Sequence, residues 1–231
     1  MTLEPRRVVV TIDGPAGSGK STVARKIAEA LRLPYLDTGA MYRWVAFQSR
    51  QEGFAESDIE EISRIASESE FSFPFRSGKF EIEVKYKASS KVLGPEIRTQ
   101  EISMLTSRLS RLKKLREILI QKQREIGSQT GAVAEGRDAG TVIFPKADRK
   151  FFLTASPEVR ARRRELELRA RFGSQVPSFE EILKDVNQRD AQDRDRAESP
   201  MIPAPDAELI DTSELSEAQV METLLAKIGA R

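Results

Sequence analysis

Residues 14–21 read GPAGSGKS, which places Gly14, Gly19, Lys20 and Ser21 at the fixed positions of the G-x-x-x-x-G-K-[ST] phosphate loop. Glycines at this spacing let backbone N–H groups turn inward around a triphosphate. The lysine adds charge near the β and γ phosphates, and the serine hydroxyl can reach a magnesium ion. The stretch follows the apolar run VVVTI and precedes TVARKIAEALRL, the strand-to-helix setting that the motif requires. The loop therefore identifies a nucleoside triphosphate as donor. It leaves the destination of the phosphoryl group open among water, a protein switch and a small acceptor.

Three further stretches bear on that destination. In LDTGAMYRW (36–44), Thr38 and Gly39 interrupt an otherwise helical reading, and Tyr42 and Arg43 follow within a turn. EGRDAGTVIF (135–144) sets Arg137 and Asp138 directly behind a buried strand, at the carboxyl end where open α/β sheets bind ligands. A local ion pair is the plainer reading of the same two residues. VRARRRELELRARF (159–172) and NQRDAQDRDRAESP (187–200) concentrate arginines. Glu165, Glu167 and Asp190 allow an ordinary solvated helix face. Phosphoryl transfer would instead use these planar, always-charged side chains to neutralise the transferring group. The interleaved acids and the lack of stacking aromatics disfavour RNA binding.

The chain has no cysteine and no histidine. Disulfides, thiolate metal sites and Ser-His or Cys-His hydrolysis are thereby excluded. An acceptor that is itself a phosphate fits this lack of a base, because its second pKa is about 6 and it arrives largely ionised.

Residues 8–12 form a buried-strand pattern, and residues 21–33 carry Val23, Ile27, Ala28 and Leu31 on one helical face. GAVAEG (131–136), KFFLTAS (150–156) and AELID (207–211) are short apolar runs suited to a parallel sheet covered on both faces. KFEIEVKY (79–86) alternates with period two and predicts a half-exposed antiparallel strand. Capping-box patterns at Ser57, Ser178 and Ser216 predict three helix starts. The fold expected is a three-layer α/β domain with a central parallel sheet, interrupted over 41–107 and over 157–190. With 231 residues, 39% hydrophobic and 32% charged, the composition suits one folded core with insertions. A net charge of +2 offers no whole-molecule field for nucleic acid or membrane. The apolar run ending at Asp13 is too short for a signal core or a span, so a cytoplasmic protein is expected.

Through IDGPAGSGKST, YLDTGAMYR, GPEIRTQEIS, LREIL, GRDAGTVIFP, FLTASPEVRARRR and RDAQDRDRA, nearly the whole chain resembles the bacterial cytidylate kinases of the nucleoside monophosphate kinase group. The resemblance implies one P-loop kinase domain with core residues 1–40, 108–156 and 191–231. It also implies a monophosphate-binding insertion over 41–107 and a helical lid over 157–190, in a monomer. It implies transfer of the γ-phosphoryl group of ATP to CMP or dCMP with Mg²⁺. Matched residue by residue, Gly14, Pro15, Ala16, Gly17, Ser18, Gly19, Lys20, Ser21 and Thr22 correspond to the ATP site. Ser21 lies on the metal and Asp13 near it through water. Thr38, Arg43, Arg137 and Arg196 match positions that hold the CMP phosphate. Ser107, Arg116 and Asp138 match those reading cytosine, and Arg189 and Asp193 those near the ribose. Lys20, Arg137 and the lid residues Arg160, Arg163 and Arg164 would act on the transferring group. On the loop alone, other small acceptors such as shikimate or dephospho-coenzyme A, or a nucleotide switch, remain readings. The absence of an N-K-x-D sequence counts against a GTPase.

Overall fold

The computed structural model describes residues 8–173 and 176–229, with residues 171 and 172 described by backbone alone. The expected core and lid ranges thus extend outside the described residues at 1–7, 174–175 and 230–231. Strand β1 (Val9–Asp13) enters the phosphate loop and α1 (Lys20–Leu31), and β2 (Tyr35–Asp37) leads straight into α2 (Thr38–Gln51) and α3 (Ile59–Glu68). Short strands follow: β3 (Glu70–Ser72), β4 (Phe75–Arg76), β5 (Lys79–Phe80), β6 (Glu83–Tyr86) and β7 (Ser89–Val92). After a 3₁₀ turn over Pro95–Arg98 come α4 (Gln100–Leu109), α5 (Lys113–Thr130), β8 (Ala132–Gly136), a π turn over Ala139–Ile143 and β9 (Arg149–Thr154). The chain closes with α6 (Pro157–Phe172), α7 (Phe179–Arg194), β10 (Glu208–Asp211) and α8 (Glu217–Gly229).

Among the described residues the central sheet has the order β10-β9-β1-β8-β2, with every neighbouring pair parallel. Alternation along the strands sends successive side chains to opposite faces. Val10, Ile12, Val133, Phe151 and Leu153 join Val23 and Ile27 of α1 and Val220 and Leu224 of α8. Ala132 and Ala134 point the other way, to Met41 and Trp44 of α2 and Leu115 and Leu119 of α5. Both faces are covered, which is why these strands read as apolar runs. Gly14 leaves β1 at φ +139°, where an added Cβ would lie 1.9 Å from the Leu153 carbonyl oxygen. The backbone of β9 therefore requires glycine there.

Several expectations need correcting. Thr38 and Gly39 do not interrupt a helix but begin one: Asp37 caps α2, its Oδ1 accepting the Ala40 N–H at 2.9 Å. The three-residue β2 ahead of it was not foreseen. KFEIEVKY is two strands, because β5 pairs with β4 whereas β6 pairs with β3 and β7. Ile82, Val84 and Tyr86 are buried, and the Phe80 ring packs separately, 5.7 Å from that of Tyr35. The capping boxes form at Ser178 and Ser216. At the third, α3 starts after Asp58, whose carboxylate turns back to the Ala55 N–H at 2.8 Å and caps nothing. Among the described residues no helix is long and apolar enough to cross a membrane.

Candidate active site

The phosphate loop sits at the carboxyl end of β1, and Gly19, in the left-handed region, caps α1 so that Lys20 is its first residue. The outer side of the loop is fastened. Arg160 donates to the Ala16 carbonyl at 3.2 Å, and the Thr212 hydroxyl to the Ser18 carbonyl at 3.2 Å. Gly17 (φ +78°) allows α6 to come close, since a Cβ there would meet the Arg160 carbonyl at 2.9 Å. On the inner side, the Lys20 ammonium rests on the Pro15 carbonyl at 2.6 Å. Burial, then the nearby Arg137 charge, push its pKa down to about 7.

Beside Ser21 lies Glu135, the first residue of EGRDAGTVIF, which has no role in the expected site. Glu135 Oε1 accepts from the Ser21 hydroxyl at 2.8 Å and the Tyr35 hydroxyl at 2.7 Å, while Oε2 is buried with no partner among the described residues. Burial, then Asp37, push its pKa up. Asp13 is turned elsewhere, its two oxygens accepting the Ala139 and Gly140 N–H groups at 2.8 and 2.7 Å. Burial pushes Asp13 up to about 6. Among the described residues no group of three acidic, histidine or cysteine side chains could hold a metal by itself. Mg²⁺ ordinarily takes one or two protein oxygens and completes its shell with phosphate and water. Ser21 and the orphaned oxygen of Glu135 supply the hard oxygen donors for that arrangement.

Facing the loop is a cavity of ≈ 250 Å³. Its cationic wall includes Arg43, Arg98, Arg137, Arg189 and Arg196, drawn from α2, the 3₁₀ turn, the end of β8 and the end of α7. Asp193 bridges two of them, accepting from Arg137 at 2.8 Å and from Arg196. Burial would lower Arg137, but Asp193 outweighs it and holds the guanidinium above its usual range. Arg98 pairs with Asp37 at 2.7 Å. Arg43 donates to the Ser103 hydroxyl at 2.6 Å, and burial, then Arg189 and Arg98, push it down to about 9. The Thr38 hydroxyl lines the same cavity and donates to the Glu135 carbonyl at 2.7 Å.

At the far end, Arg116 and Asp138 form a buried ion pair at 2.5 Å, with the Tyr42 ring centroid 5.7 Å from the guanidinium. Ser107 lies nearby in the cavity wall and donates to Gln192 at 2.9 Å. Thus the residues matched to phosphate, base and ribose share one cavity with Lys20 and Ser21, whereas Asp13 and Arg163 do not line it.

The three arginines expected in a lid differ. Arg160 is 4% exposed, pairs with Asp190 at 2.5 Å and also donates to the Ala155 carbonyl at 2.9 Å. Arg163 donates to the Thr212 hydroxyl and carbonyl at 2.9 and 2.6 Å. The first turns of α6 are thereby fastened to the phosphate loop and the chain after β10. Arg164 faces the cavity and pairs with nearby Glu167 at 2.8 Å. Glu135, Arg98 and Asp190 were absent from the expected site. A carboxylate two residues before Arg137 at a strand end was a usable signal for Glu135, but only the fold brings Arg98 and Asp190 to their partners.

A strand–loop–helix phosphate site that opens onto a cation-lined acceptor cavity, on a five-stranded parallel sheet, defines a P-loop kinase. The family model for cytidylate kinase matches residues 10–230, and the chain belongs to the cytidylate kinase family. It is 44% identical to a cytidylate kinase of Fervidobacterium nodosum, over 96% of each chain. It is 40% identical to one of Saccharophagus degradans, over 97% of this chain and 98% of that one. It is also 43% identical, over 97% of its own length, to a bifunctional pantoate ligase/cytidylate kinase of a Synechococcus strain, of which it spans about two fifths (41%). A solved shikimate kinase from Bacteroides thetaiotaomicron aligns over 96% of both chains at 13% identity and a TM-score of 0.47, too slight a likeness to carry argument.

Proposed function

We infer that the protein transfers the γ-phosphoryl group of ATP to CMP or dCMP, giving ADP and CDP or dCDP. The observation that carries this reading is the single cavity in which Lys20 and Ser21 face Arg43, Arg137 and Arg189, with the Arg116–Asp138 pair at its far end. A CMP phosphate oxygen, ionised at neutral pH, attacks the γ phosphorus in line as the bond to the β–γ bridging oxygen breaks. No proton has to be removed, which accords with a chain that has no histidine. Lys20 and the arginines neutralise charge on the transferring oxygens. Ser21 and Glu135 would hold Mg²⁺, which when bound neutralises β and γ oxygens. Asp13 would instead brace the turn after Asp138 through its two amide contacts.

Cytosine presents an amino donor at N4 beside the acceptors N3 and O2. Asp138 facing the amine, with Arg116 facing the acceptors, complements it; uracil reverses the pattern and leaves those groups unpaired. The segment 41–107 would carry the monophosphate, and 157–190 would act as the lid, with Arg164 its most available arginine. ADP release with ATP and Mg²⁺ tests the proposal: CMP and dCMP should stimulate it far more than UMP or AMP. No stimulation by CMP would overturn it.

A further inference from the structure

Three carboxylates crowd the floor between the phosphate loop and the acceptor cavity, and two are fully committed. Asp13 spends both oxygens on the amides of residues 139 and 140. Asp37 accepts from the Ala40 amide with one oxygen and from Arg98 with the other. Glu135 is the exception, with two hydroxyl donors converging on Oε1 and a bare, buried Oε2. Of those donors, Ser21 belongs to the phosphate loop. Tyr35 opens the YLDTGAMYR stretch but has no role in the expected site; it is 1% exposed and reaches Glu135 from the edge strand β2.

The Tyr35 ring is itself held on two sides. The Arg25 guanidinium of α1 lies 5.2 Å from its centroid and the Phe80 ring of β5 lies 5.7 Å away. The hydroxyl therefore arrives in a fixed place, because a ring so packed has little rotamer freedom left. A carboxylate gripped through one oxygen by two donors cannot rotate without breaking both bonds. Its second oxygen is then aimed as well as free. Lys20, whose charge already acts on Glu135, offers the competing partner: a carboxylate released from Tyr35 could swing to it and neutralise the lysine that the donor phosphates need.

We propose that Tyr35 is a positioning residue for the phosphoryl-transfer site: its hydroxyl fixes the Glu135 carboxylate so that Oε2 faces the divalent cation beside Ser21. This rests on the kinase reading above. Groups that orient a metal-facing side chain typically change metal affinity by about 10- to 100-fold when removed. Tyr35→Phe deletes the hydroxyl while keeping the ring against Phe80 and Arg25, so the fold is retained.

Mn²⁺ binding to the protein–ADP complex, followed by the paramagnetic resonance of free Mn²⁺, should weaken about 10-fold in Tyr35→Phe. In a Glu135→Gln background the same substitution should add less than about 2-fold, because Tyr35 acts through the carboxylate. Turnover of Tyr35→Phe should recover at high Mg²⁺ with the KM for CMP unchanged. A loss of packing alone would lower the melting temperature and leave the metal requirement where it was. Unchanged Mn²⁺ affinity in Tyr35→Phe, or an equal loss in both backgrounds, would overturn the proposal. The wild-type protein separates the two levels: absence of CMP-dependent ADP release refutes the kinase reading, whereas normal release with unaltered Mn²⁺ affinity in Tyr35→Phe refutes the role of Tyr35 alone.

Discussion

Asp138→Asn is the sharpest probe of base recognition, and the structure shows why alanine would not serve. Arg116 is 3% exposed and Asp138 6%, and they face each other at 2.5 Å. Besides the Tyr42 ring, Arg116 meets the Ser110 carbonyl at 3.3 Å, and its Nε has no partner among the described residues. Deleting the carboxylate would strand a buried guanidinium at a cost of about 3–5 kcal/mol. That is a large part of the roughly 5–15 kcal/mol that holds a domain together. Asparagine keeps the shape and one acceptor oxygen but drops the charge and adds an amino donor. Its oxygen can face Arg116 or the cytosine amine, whereas the carboxylate has an oxygen for each. One hydrogen bond to a charged group is lost, worth about 1.5–3 kcal/mol. At 1.36 kcal/mol per decade, kcat/KM for CMP should fall about 10- to 150-fold. Uracil gains, because its O4 accepts from the new amino group, so the preference for CMP over UMP should shrink by more than the CMP loss alone. Coupled ADP-release kinetics with each nucleotide give the ratio, and the KM for ATP with the melting temperature confirm an intact donor site. A CMP:UMP ratio within about 2-fold of wild type would refute the assignment of Asp138 to the base.

Two further outcomes follow from the donor side. Burial and the Arg137 charge push Lys20 down to about 7, and phosphates placed beside it should raise that value, so ATP binding should take up protons above pH 7 and weaken as pH rises further. Because the folded value lies below the ordinary 10.5, the unfolded chain binds more protons between the two, and this group's contribution to stability grows as pH climbs from about 7 toward 10. Calorimetry in buffers of different ionisation enthalpy at pH 8 reads the uptake; observed heats that are the same in every buffer would refute it. The Arg160–Asp190 pair supplies the other prediction. Asp190→Ala should cost about 3–5 kcal/mol by leaving the buried Arg160 without its counter-charge, and the double replacement Arg160→Met with Asp190→Leu should restore the melting temperature. The double variant still lacks the bond to the Ala16 carbonyl, so its KM for ATP should stay raised; recovery of both properties would show that Arg160 does not hold the loop.

What could be read in advance follows a physical rule. The phosphate loop and the capping boxes at Ser178 and Ser216 are local, with partners within a few residues, so spacing alone announces them; the strands at 9–13 and 132–136 pair with distant segments but are buried on both faces, which writes a continuous apolar run into each. The strand β2 has three residues, too few for a period to emerge, and its role is set by pairing with β8 almost a hundred residues away. Glu135 shows the same limit, since its two hydroxyl partners come from positions 21 and 35. Arg160 is the instructive mismatch. The family resemblance implies a lid arginine there, and burial against Asp190 with the bond to the Ala16 carbonyl shows a side chain that ties α6 to the phosphate loop. The Ser57 pattern misled for a different reason, because the neighbouring Asp58 took the cap position and then turned its carboxylate to an amide outside the helix.

The distribution of charge around the cavity joins these observations. Arg98 and Arg137 lie on the carboxylates of Asp37 and Asp193, and both are held above their ordinary range. Lys20, Arg43 and Arg189 have no carboxylate at ion-pair distance among the described residues, and burial with neighbouring cations pushes all three down. The chain as a whole is nearly neutral at +2, so this excess is local and is held in place by packing. It is also divided, with Lys20 on the donor loop and Arg43 and Arg189 on the acceptor wall. Anions on both sides would satisfy these cations together, and in the proposed reaction their charge would be greatest on the oxygens between the loop and the wall. Cations already desolvated and fixed need no reorganisation at that moment.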